Sequence, residues 1–499
     1  MHISNLLDHV PDDLQPKSAL RSGDLVISYQ RLHRDVEAVA GRLAAAGVNP
    51  GQVVGVYVGQ SAAHWCVLLA LMRLGAVSVS LTSRFQVEID ALPNLSAVIH
   101  AGGDPPASDR DIRMIAIEEV WLESACSVPL PAPEEAERHL GRICFTSGTA
   151  GKPKAIRLDS ATLKRRLSGT AGRSRLHRQS VLWCGLGPDS AYGFTATLAT
   201  WMIGGSICFL RTAEHAYGDL VRCNVDVIIA SPAALSTVLQ SRPENSRERI
   251  NGPVIIAGGR LSTRLRDLLL ANLCSEVLIA YGASETGGVT LGDARVLDRH
   301  AGAVGPIFPD VQVEVVGENG QVLPIGTPGR IRIKTTGSVS TYLNDPTASA
   351  RHFSADWFYP GDIAQISGEG LLTLMGREAE ILNVGGVKLS ADDLDEAARS
   401  EAGVEDACAF MLPDREESAR LAIAVAGQLD AVRRLPSHLR SMMPSLPPFS
   451  VVPVSTIPRN SMGKVNREEF AQRVDRLLRD PGAAAAEGFS IISLTSTPP

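Results

Sequence analysis

Nine consecutive residues, Thr146-Ser147-Gly148-Thr149-Ala150-Gly151-Lys152-Pro153-Lys154, gather hydroxyls, glycines and two lysines directly after the apolar segment Ile143-Cys144-Phe145. Glycine lets backbone N–H groups approach oxygen closely, hydroxyls donate hydrogen bonds, and lysine supplies point charge. That is the chemistry of a polyphosphate cradle. The order is not that of a Walker loop. Thr146 stands where that pattern needs its first glycine, and Pro153 stands where it needs Ser or Thr. Proline has no N–H and disfavours helix in the residue before it, so Lys152 does not open a phosphate-binding helix. Read alone, the stretch is equally a Gly/Thr turn between strand and loop.

Further segments carry residues fit for chemistry, and each also has an ordinary reading as a turn, loop or linker. Gly258 and Gly259 follow an apolar strand, where the absence of Cβ atoms leaves a backbone wall for a flat ring. Tyr281-Gly282-Ala283-Ser284-Glu285-Thr286 ends another strand. In open α/β sheets ligands bind at such carboxyl ends; a tyrosine there can cover a base, and a carboxylate can hold Mg2+ beside phosphates. Asp362, after Tyr359-Pro360-Gly361, is a turn-borne carboxylate suited to two ribose hydroxyls. Gly376-Arg377 leads into a Gly385-Gly386 loop and Lys388. Pro458 to Arg467 is a polar glycine loop holding Lys464.

These segments need scaffolding, and the surrounding texture supplies it. Val53 to Val58 and Ala76 to Leu81 read as strands, with a helix from Ser61 to Arg73 between them and Ser61 as its N-cap. That is a βαβ unit and implies a parallel sheet. The texture recurs with strands at 207–210, 225–230, 254–257 and 277–281 and helices at 232–239 and 262–272. Residues 311 to 375 change to short alternating strands with Gly/Pro turns. A small α+β pattern follows, with helices near 392–399 and 430–443 and strands near 405–411 and 421–426. The fold class expected is α/β: a large N-terminal domain, residues 1–376, of parallel-sheet αβ layers with a β-rich subdomain, and a small mobile α+β domain, residues 377–479. Residues 480–499, an Ala/Gly run ending in Ser, Thr and Pro, read as a disordered tail.

Composition excludes several classes. The chain has 499 residues, 44% hydrophobic and 20% charged, with net charge −6. That is too long for one ordinary core and carries no basic stripe for nucleic acid. Only seven of the 48 Lys and Arg residues are lysine, which weakens the surface-charge reading of Lys154, Lys388 and Lys464. The eight cysteines are scattered with no C-x-x-C pair, so they read as small buried hydrophobes in a reducing compartment. The eleven histidines show no metal-binding spacing. The N-terminus lacks a signal-peptide pattern, and Arg73 interrupts the longest apolar run, Trp65 to Leu81. A cytoplasmic protein without membrane insertion is expected.

Taken together and in this order, the segments resemble the adenylate-forming superfamily of acyl- and aryl-CoA synthetases, nonribosomal adenylation domains and luciferase. The signatures are T-S-G-[ST]-x-G-x-P-K, Y-G-x-[ST]-E, a G-D turn, G-R followed by a G-G loop, and a C-terminal G-K loop, spread over about residues 25 to 475. The resemblance implies an active site between two domains. It also implies two half-reactions: a carboxylic acid attacks ATP to give acyl-AMP and pyrophosphate, and a thiol then displaces AMP.

Residue roles follow by the same resemblance. Lys464 bridges carboxylate and α-phosphate, and Glu285 binds Mg2+. Thr146, Ser147, Gly148, Thr149, Gly151 and Lys154 hold the β- and γ-phosphates. Gly258, Gly259, Tyr281, Gly282 and Ser284 belong to the adenine and nucleotide wall. Asp362 takes the ribose hydroxyls with Arg377 beside it. Gly385 and Gly386 form a channel for pantetheine. The implied acceptor is CoA, or alternatively the phosphopantetheine of an acyl carrier protein.

The chain departs from the pattern at Ala155, Arg330 and Ala379, the last at the expected hinge. The acid-pocket gate falls near Asp189-Ser190 without a fixed register. No Phe precedes Asp189, which argues against an α-amino acid substrate. A catalytically degenerate binding protein is the rival from another class; the presence of both Glu285 and Lys464 argues against it.

Overall fold

The structure is a computed structural model. It describes residues 2–59, 62–102, 107–118, 121, 128–146, 153–384, 387–412, 420–459, 465–479 and 494–495. The chain divides into two compact units. One comprises Met1–Leu261, Leu265–Glu314 and Arg332–Pro360; the other comprises Ser262–Arg264, Val315–Ile331 and Gly361–Pro499.

The first unit is built on two sheets. One has the strand order Arg113–Ile117, Leu95–Ala101, Val53–Tyr57, Val77–Ser80, Gly141–Thr146, Lys154–Asp159, and every pair is parallel except the last. The other runs Gly287–Asp293, Cys274–Ala283, Ile250–Ile256, Val227–Ala230, Val181–Cys184, Ser206–Cys208, Ser18–Ser22, Leu25–Ser28, parallel throughout except at its two edges. The parallel βαβ texture expected from the sequence is therefore present. Parallel strands must be covered on both faces, which is why they read as continuous apolar runs.

The helices Ala62–Leu74 and Ala191–Met202 are largely apolar, and most residues of each are buried. A helix of that composition has no solvent face and must lie inside a core. They meet through Trp65, which stacks on Phe194 with ring centroids 5.7 Å apart and abuts Trp201 edge-on at 5.4 Å. Among the described residues no helix is long and apolar enough to cross a membrane. The helix cap expected at Ser61 lies outside the described residues.

The strand Val77–Ser80 shows how alternation divides apolar from polar. Val77 and Val79 enter one core, while Ser78 and Ser80 face the guanidinium of the fully buried Arg142 on the neighbouring strand. Arg142 donates to Ser78 Oγ at 3.3 Å, Ser80 Oγ at 2.6 Å and the Pro188 carbonyl at 2.7 Å, and lies 4.7 Å from the Phe194 ring centroid. His64 joins this network through Ser80 Oγ at 2.8 Å and the Val58 carbonyl.

The second unit contains the hairpin Asp362–Ile366 and Leu371–Arg377, with Gly329 and Arg330 paired alongside Ala364 and Ile363. The β-rich texture of residues 311 to 375 is present as six strands divided between the units. The second unit also carries the strands Val404–Leu412, Arg420–Gly427, Phe449–Pro453 and Leu494–Thr495 in one sheet. Alternate residues feed two cores. Ala407, Ala409, Leu421, Ile423 and Val425 pack with the helices Ala391–Arg399 and Leu429–Met442. Cys408, Phe410, Ala422 and Ala424 pack with Arg467–Arg479. The two helices and two strands expected here fall within a residue or two of their places, while the strand Phe449–Pro453 and the helix Arg467–Arg479 were not expected. Of the expected tail only Leu494 and Thr495 lie among the described residues, and they differ from the expectation: they pair antiparallel with Val451 and Ser450 at an edge of the sheet.

Burial pushes the His64 imidazole down from 6.5 to about 4, against the pull of the Val58 carbonyl. The unfolded chain takes up a proton below about pH 6.5 that the fold refuses until about pH 4. Stability should therefore fall as pH drops through that window, by up to roughly 3 kcal/mol. Urea unfolding across this range checks it. A His64→Gln variant should show a lower midpoint at neutral pH but a flatter acid limb; an unchanged limb contradicts the assignment.

Candidate active site

The strands Gly141–Thr146 and Lys154–Asp159 pair antiparallel, with Thr146 opposite Lys154. This brings the two ends of the hydroxyl- and glycine-rich loop together. Ser147, Gly148, Thr149 and Gly151 lie between them and outside the described residues. Lys154 leads into the helix Ser160–Arg173, whose N-cap Asp159 accepts from the Thr162 N–H at 2.7 Å.

Arg166, on that helix, is 7% exposed. It donates to the Ser284 carbonyl at 2.9 Å, the Glu285 carbonyl at 3.1 Å, and the Gly337 carbonyl at 3.0 and 2.8 Å. Burial lowers its pKa to about 10, so it stays charged at neutral pH. The Glu285 carbonyl also accepts from the Val339 N–H at 2.8 Å. The turn bearing Ser284 and Glu285 is thus held by its backbone.

The Glu285 side chain is fixed separately. It is 5% exposed, and Tyr342 Oη donates to its Oε1 at 2.7 Å. The Lys154 ammonium lies 5.1 Å from the Tyr342 ring centroid and 3.1 Å from His352 Nε2. The chain of contacts from Lys154 to Glu285 therefore runs over one tyrosine, with a cation on its face and a carboxylate on its hydroxyl.

Gly258 follows the strand Ile250–Ile256, and Tyr281 lies within the last residues of the adjacent parallel strand Cys274–Ala283, in register with it at Ile256 and Ile279, so both lie toward carboxyl ends. Gly258 has φ +80°, a left-handed conformation that favours glycine. Gly259 packs against Pro232, which a Cβ would approach to 3.2 Å. Gly282 tolerates no Cβ either, since that atom would lie 2.4 Å from the Gly287 carbonyl oxygen.

A helix begins at the segment expected to carry the gate near Asp189-Ser190. Ser190 is the N-cap of Ala191–Met202, with Oγ accepting from the Gly193 N–H at 2.9 Å and donating to the Gly187 carbonyl at 3.2 Å. Burial raises the Asp189 carboxyl, opposed by a backbone bond and by Arg142.

In the second unit, Asp362 is buried and stands opposite Arg377 across the hairpin, with Arg377 Nε 3.3 Å from its Oδ1. Ala379 lies in the single turn Glu378–Glu380 that follows. Gly385 and Gly386, between Ile381–Val384 and Val387–Ser390, and Lys464 lie outside the described residues.

The structure thus brings Thr146, Lys154, Ser284 and Glu285 into one connected neighbourhood and pairs Asp362 with Arg377. The sequence reading missed Arg166, Tyr342 and His352. Asp345-Pro346, an N-cap followed by a first-turn proline, was the available signal for the helix ending at His352, but no spacing marks the three side chains.

A single buried carboxylate linked to a lysine through a shared tyrosine fits Mg2+. That ion takes one or two carboxylates and fills the rest of its shell with phosphate oxygens and water. A surface cavity of about 290 Å³ lined by Leu7, Asp8, Gln15, His33 and Glu37 is a different place. Its polar groups are engaged by neighbours, Asp8 by Asn5 and His33, and Glu37 by Arg73.

Two parallel-sheet layers, a hydroxyl and glycine loop, and a buried carboxylate at strand ends define an α/β enzyme that handles a nucleotide polyphosphate. The chain belongs to the AMP-binding enzyme family, which matches residues 8–343. It is similar to the medium/long-chain-fatty-acid–[acyl-carrier-protein] ligase FadD10 of Mycobacterium tuberculosis, with 26% identity over 94% of this chain and 95% of that protein. It is also similar to the 2-hydroxy-7-methoxy-5-methyl-1-naphthoate–CoA ligase of Streptomyces carzinostaticus, with 23% identity over 95% and 93%. Its fold matches the anthranilate CoA ligase AuaEII in complex with anthranoyl-AMP, with TM-score 0.81, 16% identity, and 96% and 98% of the two chains covered. The protein is an enzyme of the adenylate-forming, AMP-forming acid–thiol ligase class, which uses ATP and Mg2+.

Replacing Arg166 by Met would leave the Ser284 and Gly337 carbonyls without this buried donor. Stability should fall by about 3 kcal/mol, since each buried acceptor left unsatisfied costs about 1–3 kcal/mol. Chemical denaturation of the variant checks this, and a loss below about 0.5 kcal/mol, the range of ordinary surface changes, contradicts it.

Proposed function

We propose that the protein activates a small or medium carboxylic acid as its acyl-AMP, releasing pyrophosphate, and then passes the acyl group to the thiol of CoA. The reading is carried by the contacts from Lys154 across Tyr342 to the buried Glu285 carboxylate, because they join a cation and a carboxylate fit for a metal through one tyrosine. Two anions must meet in the first step, so positive charge placed beforehand lowers its barrier.

Lys154, with Thr146, Ser147, Gly148, Thr149 and Gly151, holds the β- and γ-phosphates that leave as pyrophosphate. Glu285 holds Mg2+, whose charge neutralises the phosphate oxygens when it is bound. Gly258, Gly259, Tyr281, Gly282 and Ser284 form the wall for the adenine and its nucleotide. Asp362, kept in place by Arg377, accepts from the ribose hydroxyls. Lys464 supplies the cation at the reacting centre of the first half-reaction. Gly385 and Gly386 serve the pantetheine arm in the second. Residues 377–479 act as a mobile domain that hinges at Ala379, and the reaction takes place in the cytoplasm.

A second reading has a specific observation in its favour. The Mycobacterium tuberculosis relative is named as an acyl-carrier-protein ligase, so a carrier's phosphopantetheine is the alternative acceptor.

Lys464→Ala tests the assignment. Acyl-AMP formation should fall by about 100-fold or more, in line with the loss of one preorganised charge. Thioester formation from supplied acyl-AMP should stay within a few-fold. Equal loss in both half-reactions contradicts the role. Running the second half-reaction with free CoA and with holo-carrier protein in parallel separates the acceptors; product with the carrier alone overturns CoA.

A further inference from the structure

His352 is the last residue of the helix Pro346–His352, and its ring is clamped on two sides. Tyr342 meets it edge-on at 5.9 Å, and Phe358 stacks on it at 6.3 Å with an interplanar angle of 27°. Its Nδ1 lies 2.8 Å from the Tyr359 carbonyl oxygen and its Nε2 lies 3.1 Å from Lys154 Nζ. A carbonyl only accepts and an ammonium only donates. The ring must therefore carry its proton on Nδ1 and present a bare Nε2 to Lys154. Burial lowers the imidazole's pKa, with Lys154 and Arg351 adding to it against the pull of the Tyr359 carbonyl and Glu285. The neutral form that this hydrogen bond needs is the form the surroundings favour.

We propose that His352 is a positioning residue of the first half-reaction: its neutral Nε2 holds the Lys154 ammonium in place, beside Glu285, for the β- and γ-phosphates of ATP. The inference rests on the reading of Lys154 as a phosphate holder. A lysine side chain has many rotamers, and fixing one on ligand binding weakens affinity. His352 Nε2 and the Tyr342 ring remove that freedom before the nucleotide arrives. A neutral acceptor does so without cancelling the positive charge, whereas a carboxylate in its place would compete with the phosphates for the ammonium. Tyr342 couples the two halves of the arrangement, since its face meets Lys154 and its hydroxyl holds Glu285.

The test compares His352→Phe, His352→Gln and Lys154→Ala in the full-length enzyme. Phenylalanine keeps a ring between Tyr342 and Phe358 but removes the acceptor; glutamine keeps an acceptor near the Nε2 position. The readouts are the equilibrium Kd for ATP, the Kd for inorganic pyrophosphate, and the steady-state constants of acyl-AMP formation. His352→Phe should raise both Kd values and the KM for ATP roughly tenfold, as expected when a preorganised contact is lost. Its kcat, and thioester formation from supplied acyl-AMP, should change far less. His352→Gln should stay within about threefold of the parent on every readout. If Lys154→Ala weakens ATP and pyrophosphate binding but His352→Phe does not, the proposal is overturned while the role of Lys154 stands. If Lys154→Ala leaves both Kd values unchanged, the phosphate-holding reading itself fails. A His352→Gln variant as impaired as His352→Phe also overturns the proposal, since the accepting atom would then not be what matters.

Discussion

The buried guanidinium of Arg166 is the constraint on which the site depends. It lies on the helix that follows Lys154 in the chain, and it reaches the carbonyls of Ser284, Glu285 and Gly337, 118 to 171 residues away. Those carbonyls belong to a turn and a loop that have no regular ladder to satisfy them. A cation that cannot lose its proton at neutral pH, held out of water, must keep such partners. The result is a fixed backbone at Glu285 whether or not a ligand is present. Preorganisation of this kind lets the carboxylate meet charge without having to move.

Around that clamp the charges are arranged with economy. Two groups that touch Lys154, an imidazole nitrogen and an aromatic face, are neutral and do not cancel its charge. Glu285 is held by a neutral phenol, so its charge remains available to a cation. Asp362, in the other unit, is instead paired with a cation, Arg377. Arg377 thereby orients the carboxylate that we propose accepts from the ribose hydroxyls. The buried Arg142 is likewise held by neutral oxygens, tying the Pro188 carbonyl to the serines of Val77–Ser80.

Much of this fold was legible in the sequence because local composition dictates it. The Val-Ser alternation of residues 77–80, the largely apolar helix at 62–74 and the apolar strands at 404–412 and 420–427 each state their burial in one dimension. The segments proposed to face the nucleotide stand out in the sequence for a similar reason: glycine and hydroxyl patterns act through backbone, which sequence spacing controls. Arg166, Tyr342 and His352 were not legible. Each acts through side-chain contacts across long sequence separations, 198 residues between Lys154 and His352, and no period or motif carries that information. The Asp189-Ser190 segment lay between these cases. Ser190 has the character of an N-cap, but only the helix geometry showed that its hydroxyl is spent on the Gly193 N–H.

The central claim is that this site cuts ATP at the α-phosphate in response to a carboxylic acid. Exchange of labelled pyrophosphate into ATP, measured with Mg2+ and a panel of acids but no thiol, reads that step alone. Label should enter ATP only when an accepted acid is present, and the acid that supports exchange names the substrate class. Release of ADP and orthophosphate, or no acid-dependent exchange with any member of a broad panel, would contradict the account.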